Sequence, residues 1–217
     1  MTFTSLFDRA TLLPYLAAAV TLVLIPGPAQ ALVLARSVER GRAAGIITAL
    51  GLDAATMVHS AAAALGLSAI LAASAAAFTV VKLVGALYLV WLGLRMLRAP
   101  ATPAATRVPA PSSGGGGAAA LVAHGFVTGL LNPKVALFFL AFLPQFVRPE
   151  RGWVAGQFLL LGAIFAGLDL VWAAVLATAA ARARGWLGAS ARVTRWRERV
   201  TGTVLIALGL RLAWARR

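Results

Sequence analysis

Residues 12–35 read LLPYLAAAVTLVLIPGPAQALVLA. The run is apolar nearly throughout and long enough to cross a hydrocarbon core, which takes about 20 helical residues. It is interrupted by Pro26-Gly27-Pro28. Each proline removes a backbone donor and collides with the preceding turn, so two of them around a glycine unwind a helix. Unwound backbone at membrane depth persists only inside protein or beside a water-filled cavity. The stretch beyond the break begins a new helix, and its free N–H groups near Ala29, Gln30 and Ala31 form a positive end that suits a carboxylate. The competing reading is a plain kink packed against neighbouring helices.

The chain carries five more apolar segments, over about 44–73, 78–97, 119–145, 153–181 and 200–215. With 61% hydrophobic and 12% charged residues and a mean hydropathy of +0.88, it reads as an all-α integral membrane protein of about six transmembrane helices. Ala29-Gln30-Ala31 imitates a signal-peptidase site. Asp8 cancels Arg9 in the region before it and the apolar run continues beyond it, so a retained helix is expected. Residues 99–118 are rich in proline, serine and glycine and form a flexible linker. This divides the chain into an N-terminal three-helix repeat, 1–98, and a C-terminal one, 119–217.

The halves resemble each other. Gly51-Leu52-Asp53 in the second segment matches Gly167-Leu168-Asp169 in the fifth. Lys82-x-x-Gly85 and Leu92-Gly93-Leu94-Arg95 match Arg199-x-x-Gly202 and Leu208-Gly209-Leu210-Arg211 at nearly the same offset. The first segment breaks at Pro26-Gly27-Pro28 and the fourth at Asn132-Pro133-Lys134. Three ordered matches suggest duplication, against chance in an apolar sequence of low diversity. Three helices per copy is an odd number, so the second copy enters the membrane upside down, as in many secondary transporters. The expected fold is two inverted three-helix repeats with broken first and fourth helices.

Only six residues are acidic, and two of them, Asp53 and Asp169, lie deep in apolar segments where a charge is costly. They are candidates for proton coupling or for binding an ammonium group; the alternative is a structural pair satisfied by arginines or backbone. Asn132 suits an N-cap and Pro133 the first helical position, so a half-helix starts there. Asn132 either caps it or binds substrate, and Lys134 either meets a substrate carboxylate or snorkels to the surface. Pro26, Gly27, Pro28, Gln30, Asn132, Pro133 and Lys134 are thus the candidate substrate site. His59 is a possible cavity-lining residue or a satisfied core histidine. Gln145 and Gln157 are weaker polar candidates.

The net charge of +14 raises nucleic-acid binding, but the arginines gather in the connectors 1–2, 3–4 and 5–6, including Arg36, Arg40, Arg42, Arg98, Arg107 and Arg182. That is the positive-inside pattern, which places these connectors in the cytoplasm. No nucleic-acid partner is expected. There is no cysteine, which excludes disulfides and thiolate metal sites. No nucleophile motif or phosphate loop is visible, so neither an enzyme nor an ATP-driven pump is expected. No metal and no cofactor is read.

The chain resembles the lysine exporter / homoserine-threonine resistance (LysE/RhtB-type) family. The resemblance rests on Pro26-Gly27-Pro28 with Ala31-Leu-Val-Leu-Ala-Arg36, on Arg40-Gly41-Arg42-x-x-Gly45 with Gly51 and His59, on Lys82-Leu-Val-Gly85-x-x-Tyr88-Leu89-x-x-Leu92-Gly93, and on Asn132-Pro133-Lys134 leading to Phe142-Leu143-Pro144-Gln145-Phe146. It implies a multi-pass exporter of amino acids or close derivatives in the bacterial cytoplasmic membrane, driven by the proton motive force or a counter-ion. Its partners would be the amino-acid substrate, the lipid bilayer and a coupling proton or counter-ion. The alternatives are export of a cation or another small metabolite, or a non-transporting membrane scaffold.

Overall fold

The computed structural model describes residues 7–73 and 117–182, with residues 79, 80, 83, 86, 87, 90, 91, 94, 97 and 98 of the third segment and 199, 203, 206, 207 and 210 of the sixth. The linker over 99–116, the motif residues Lys82, Gly85, Leu92, Gly93 and Arg95 and their partners Gly202, Leu208, Gly209 and Arg211 lie outside the described residues, as does Arg107. Among the described residues all regular structure is helical.

Helix α1 spans Arg9–Leu24 and α2 spans Pro28–Arg40. Asp8 caps α1, its carboxylate accepting the Thr11 N–H at 2.7 Å. At the other end, Pro26 has no N–H to continue the ladder and Gly27 is extended, so α2 restarts at Pro28, a favoured first position. The two axes differ by 52°. A single residue, Gly41, separates α2 from α3 (Arg42–Ala73). Its φ of 90° falls in the region that favours glycine, and that conformation turns the chain back in one step.

The fourth segment behaves alike. Helix α4 spans Ala118–Leu130 and α5 spans Pro133–Leu137, continuing through a π turn at Phe138–Phe142 and a 3-10 turn at Leu143–Phe146. The bend across the break is 50°. Asn132 caps α5, its side-chain oxygen accepting the Lys134 N–H at 3.1 Å. After a short 3-10 turn, α6 runs over Val154–Arg182. Helix α6 and the Arg42–Gly66 part of α3 are each long and apolar enough to cross a membrane, and each bent pair passes the same test as one span. The breaks expected at Pro26-Gly27-Pro28 and Asn132-Pro133 are both present.

Helix α3 packs between α4 and α6, and small residues set the distance. A Cβ on Gly125 would lie 2.1 Å from the Thr48 carbonyl oxygen, and one on Gly51 2.1 Å from that of Val122. Lipid is as apolar as leucine, so close backbone approach, not expulsion of water, holds such helices together. Gly125 sits at Thr48 and Gly129 at Leu52 and Ala55, so α3 and α4 run parallel. Gly45 sits at Ala177 and Gly162 at Ser60, so α3 and α6 run antiparallel. The first and fourth segments are antiparallel too, with Ile25 meeting Lys134 and Thr11 meeting Arg148.

An aromatic layer fills the side remote from Gly41. Tyr15 packs edge-on to Phe146 at 5.4 Å, Phe138 lies 5.4 Å from Phe142 and 5.2 Å from Phe165, and the Tyr15 hydroxyl donates to the Leu161 carbonyl at 2.5 Å. Beyond this layer Arg151 pairs with Asp8 at 2.6 Å. Hydrogen bonds from Thr11, assisted by Arg151 and Arg148, hold the Asp8 carboxyl below the usual carboxylate range. Arg36 is not in the first connector: it lies within α2, its side chain 4% exposed and paired with Glu39 at 3.1 Å. Helix α2 runs four residues past it and the connector shrinks to Gly41.

Candidate functional site

Breaking a helix frees carbonyls on one side and N–H groups on the other. At the end of α1 the freed carbonyls are taken by side chains. Gln30, in the first turn of α2, reaches back so that its amide nitrogen donates to Val23 O. The Lys134 ammonium, arriving from the other break, donates to Leu22 O at 3.0 Å and to Ile25 O at 2.9 Å. It passes against Gly27: a Cβ there would stand 3.6 Å from the Lys134 nitrogen. The two interrupted segments therefore touch at their interruptions.

Beside this crossing lies a recess lined by Ala29, Gln30, Val33, Leu52, Asp169, Trp172, Ala173 and Leu176. It brings the start of α2 opposite Asp169 on α6. The first turn of a 13-residue helix carries donors without intrahelical partners and a partial positive charge; Asp169 carries the opposite sign. Trp172 follows Asp169 by one turn, on the same face. Its indole N–H is buried with no hydrogen-bond partner among the described residues, and so is the side-chain nitrogen of Asn132.

Asp53 stands on α3 next to Leu52 of the lining. It is 9% exposed, and neither carboxylate oxygen has a hydrogen-bond partner among the described residues. It lies within electrostatic reach of Asp169, which in turn feels the Lys134 ammonium. Two acids and one cation thus share one neighbourhood formed by α3, α5 and α6.

The structure gathers most of the residues that the sequence singles out. Gln30 and Asp169 border the recess; Gly27, Asn132 and Lys134 form the crossing; Asp53 lies behind it. Pro26, Pro28 and Pro133 act through the backbone, by ending one helix or starting the next. His59 stands apart from the recess lining: its Nε2 is 3.3 Å from the Gly129 carbonyl and its ring is 6.5 Å from that of Phe139, at the α3–α4 contact. Trp172 is the residue that sequence reasoning passed over. Its spacing of three from Asp169 was the available signal, since residues three apart share a helical face. Gln157 is a loop clamp: it accepts from Arg148 N at 2.8 Å and donates to the carbonyls of Arg148 at 2.8 Å and Gly152 at 2.7 Å.

A family model described as LysE type translocator matches residues 20–216. The chain is 31% identical to an uncharacterised membrane protein of Pseudomonas aeruginosa, over 93% of this chain and 94% of that one. It is 28% identical to the homoserine/homoserine lactone efflux protein of Salmonella typhimurium, over 93% and 95%, and 26% identical to the leucine efflux protein of Salmonella choleraesuis, over 92% of each. No solved structure matches it.

Proposed function

Since this chain belongs to the LysE-type translocator family, whose members are transporters and not enzymes, we propose that it exports an amino acid or close derivative across the bacterial inner membrane by alternating access. Amino-acid export follows from the family and from the efflux relatives; the mechanism rests on the recess. The observation that carries it is that the positive end of α2 and the carboxylate of Asp169 border one recess at the crossing of two broken helices. A zwitterion fits that polarity. Its carboxylate meets the N–H groups of Ala29 and Gln30, and its ammonium meets Asp169.

Asp53 carries the coupling proton in this reading. Its oxygens have no fixed partner among the described residues, which suits exchange of a proton with the neighbouring Asp169 as substrate comes and goes. The antiparallel pairing of the first with the fourth segment and of α3 with α6 supports two inverted copies that rock against each other. The arginine-rich turn at Arg40 and Arg42 then faces the cytoplasm. The aromatic layer around Tyr15 and Phe138 is the closed outer gate, and the recess lies on its cytoplasmic side.

The test is efflux of labelled amino acids from proteoliposomes under an imposed proton gradient, across a panel of the twenty. Asp169→Asn should abolish concentrative efflux, and Asp53→Asn should leave exchange but remove the gradient dependence. Wild-type rates and proton dependence in the double variant sink the coupling role. Transport of a metal cation or other metabolite in place of any amino acid favours the alternative cargo, and no transport at all favours a scaffold.

A further inference from the structure

The Lys134 ammonium sits at the end of α1, against two backbone carbonyls. Helix α1 ends there, so the negative end of its dipole points at the site. Two carbonyl oxygens at the break, Ile25 O and Leu22 O, lie 2.9 and 3.0 Å from one nitrogen; Leu22 O also accepts the Ile25 N–H at 3.3 Å through its second lone pair. Asp169 adds a carboxylate within electrostatic reach. Lys134 is 8% exposed, so water does not screen these partners well. Carbonyls at the C-terminal ends of half-helices hold the coupling cations of many broken-helix transporters.

We propose that Lys134 is a resident cation: it fills a monovalent-cation cradle in the first break with a charge tethered to the second. An ammonium has three hydrogens, and two of them are engaged by backbone of the first segment. Lys134 is therefore a positioning residue that pins the start of α5 to the end of α1, and not chiefly a ligand of the substrate carboxylate. Sodium or potassium is not needed at this place for transport, because the cradle is already full. Shortening the side chain empties the cradle and makes it exchangeable. The transport consequence rests on the export reading above; the cradle itself does not.

The test uses the full chain in detergent. Thermal unfolding of wild type, Lys134→Ala and Lys134→Met is followed while sodium, potassium, ammonium or methylammonium chloride replaces choline chloride at constant ionic strength. Lys134→Ala should melt about 5 °C or more below wild type and recover most of that loss, saturably, with methylammonium or another of the small cations. Wild type should not respond, and Lys134→Met should not respond because its thioether stem still fills the space. An equal response in wild type, or no saturable response in Lys134→Ala to any of the four cations, overturns the cradle. In case Lys134→Ala does not fold, wild-type efflux of labelled amino acid is compared in choline and in sodium medium. Equal rates are expected, and several-fold stimulation by sodium overturns the resident cation. If no amino acid is moved at all, the export reading fails while the melting arm still decides the cradle.

Discussion

Trp172 stands one helical turn beyond Asp169 on α6, and both border the recess at the first turn of α2. The indole N–H is buried without a partner among the described residues, on a side chain that lines the recess. Trp172→Phe keeps the aromatic bulk and deletes only this donor. Its loss from a complex is worth about 0.5–1.5 kcal/mol, more with a charged acceptor, so KM for efflux should rise roughly 3–10-fold. The melting temperature should hold or rise slightly, because an unsatisfied donor is removed. An unchanged KM means that the indole does not touch substrate.

The glycines of the α3–α4 contact differ sharply from a glycine elsewhere on α6. Gly125→Ala drives a methyl to 2.1 Å from the Thr48 carbonyl oxygen, whereas Gly167→Ala meets nothing within 4 Å among the described residues. Backbone cannot yield as a flexible side chain does. Gly125→Ala should therefore cost about 1–3 kcal/mol or more, read as a fall in melting temperature and in folded yield. Gly167→Ala should be neutral or slightly stabilising, since alanine favours a helix over glycine. Equal stability of the two variants would show that α3 and α4 do not meet at Thr48.

Gln157 brackets the turn before α6 through Arg148 and Gly152. Gln157→Leu preserves size and leaves one N–H and two carbonyls of the part-buried turn without that partner. The expected loss is about 2–4 kcal/mol from several hydrogen bonds, measured by thermal unfolding. KM should be unaffected, because the clamp is remote from the recess. A raised KM at unchanged stability would put Gln157 in the substrate path.

Asp8 gives a pH signature outside the membrane. Its carboxyl is held below the ordinary value of 3.8 by hydrogen bonds from Thr11, side chain first, and by Arg151. A depressed folded-state value means that the contribution to stability is fully present above the unfolded value and is lost as pH falls through the folded one. Asp8→Asn should thus lower the melting temperature by a constant amount between pH 5 and 8, and the gap to wild type should close below about pH 4. A gap that persists in acid would show that the charge of Asp8 is not what matters.

Where the chain breaks was legible in the sequence. Pro26 and Pro133 lack an N–H wherever they are placed, and Asn132 caps whatever helix follows it, so these interruptions are local consequences of covalent structure. The apolar segments were legible for the same reason, since their length is set by the bilayer. The burial of Arg36 was not legible. It stands where the apolar run of Ala31–Ala35 gives way to Ser37, Glu39 and Arg40, and only the length of α2, fixed by a one-residue turn at Gly41, carries it into the protein. The π turn at Phe138–Phe142 was also invisible. It accompanies the packing of Phe138 and Phe146 against Tyr15 and of Phe138 against Phe165, contacts that no single residue announces.

The sequence by itself determined an all-helical membrane chain, the family, the two broken segments and the cast of polar residues at membrane depth. Tertiary structure decided who meets whom. That Lys134 binds the carbonyls of Leu22 and Ile25, that the Asp53 oxygens have no partner among the described residues, and that Trp172 lines a recess with Asp169 all depend on residues more than a hundred positions apart, or on which face of a helix is turned inward. Backbone chemistry is written residue by residue. The partner of a side chain is fixed only when whole helices find their register, through contacts such as Gly125 against Thr48.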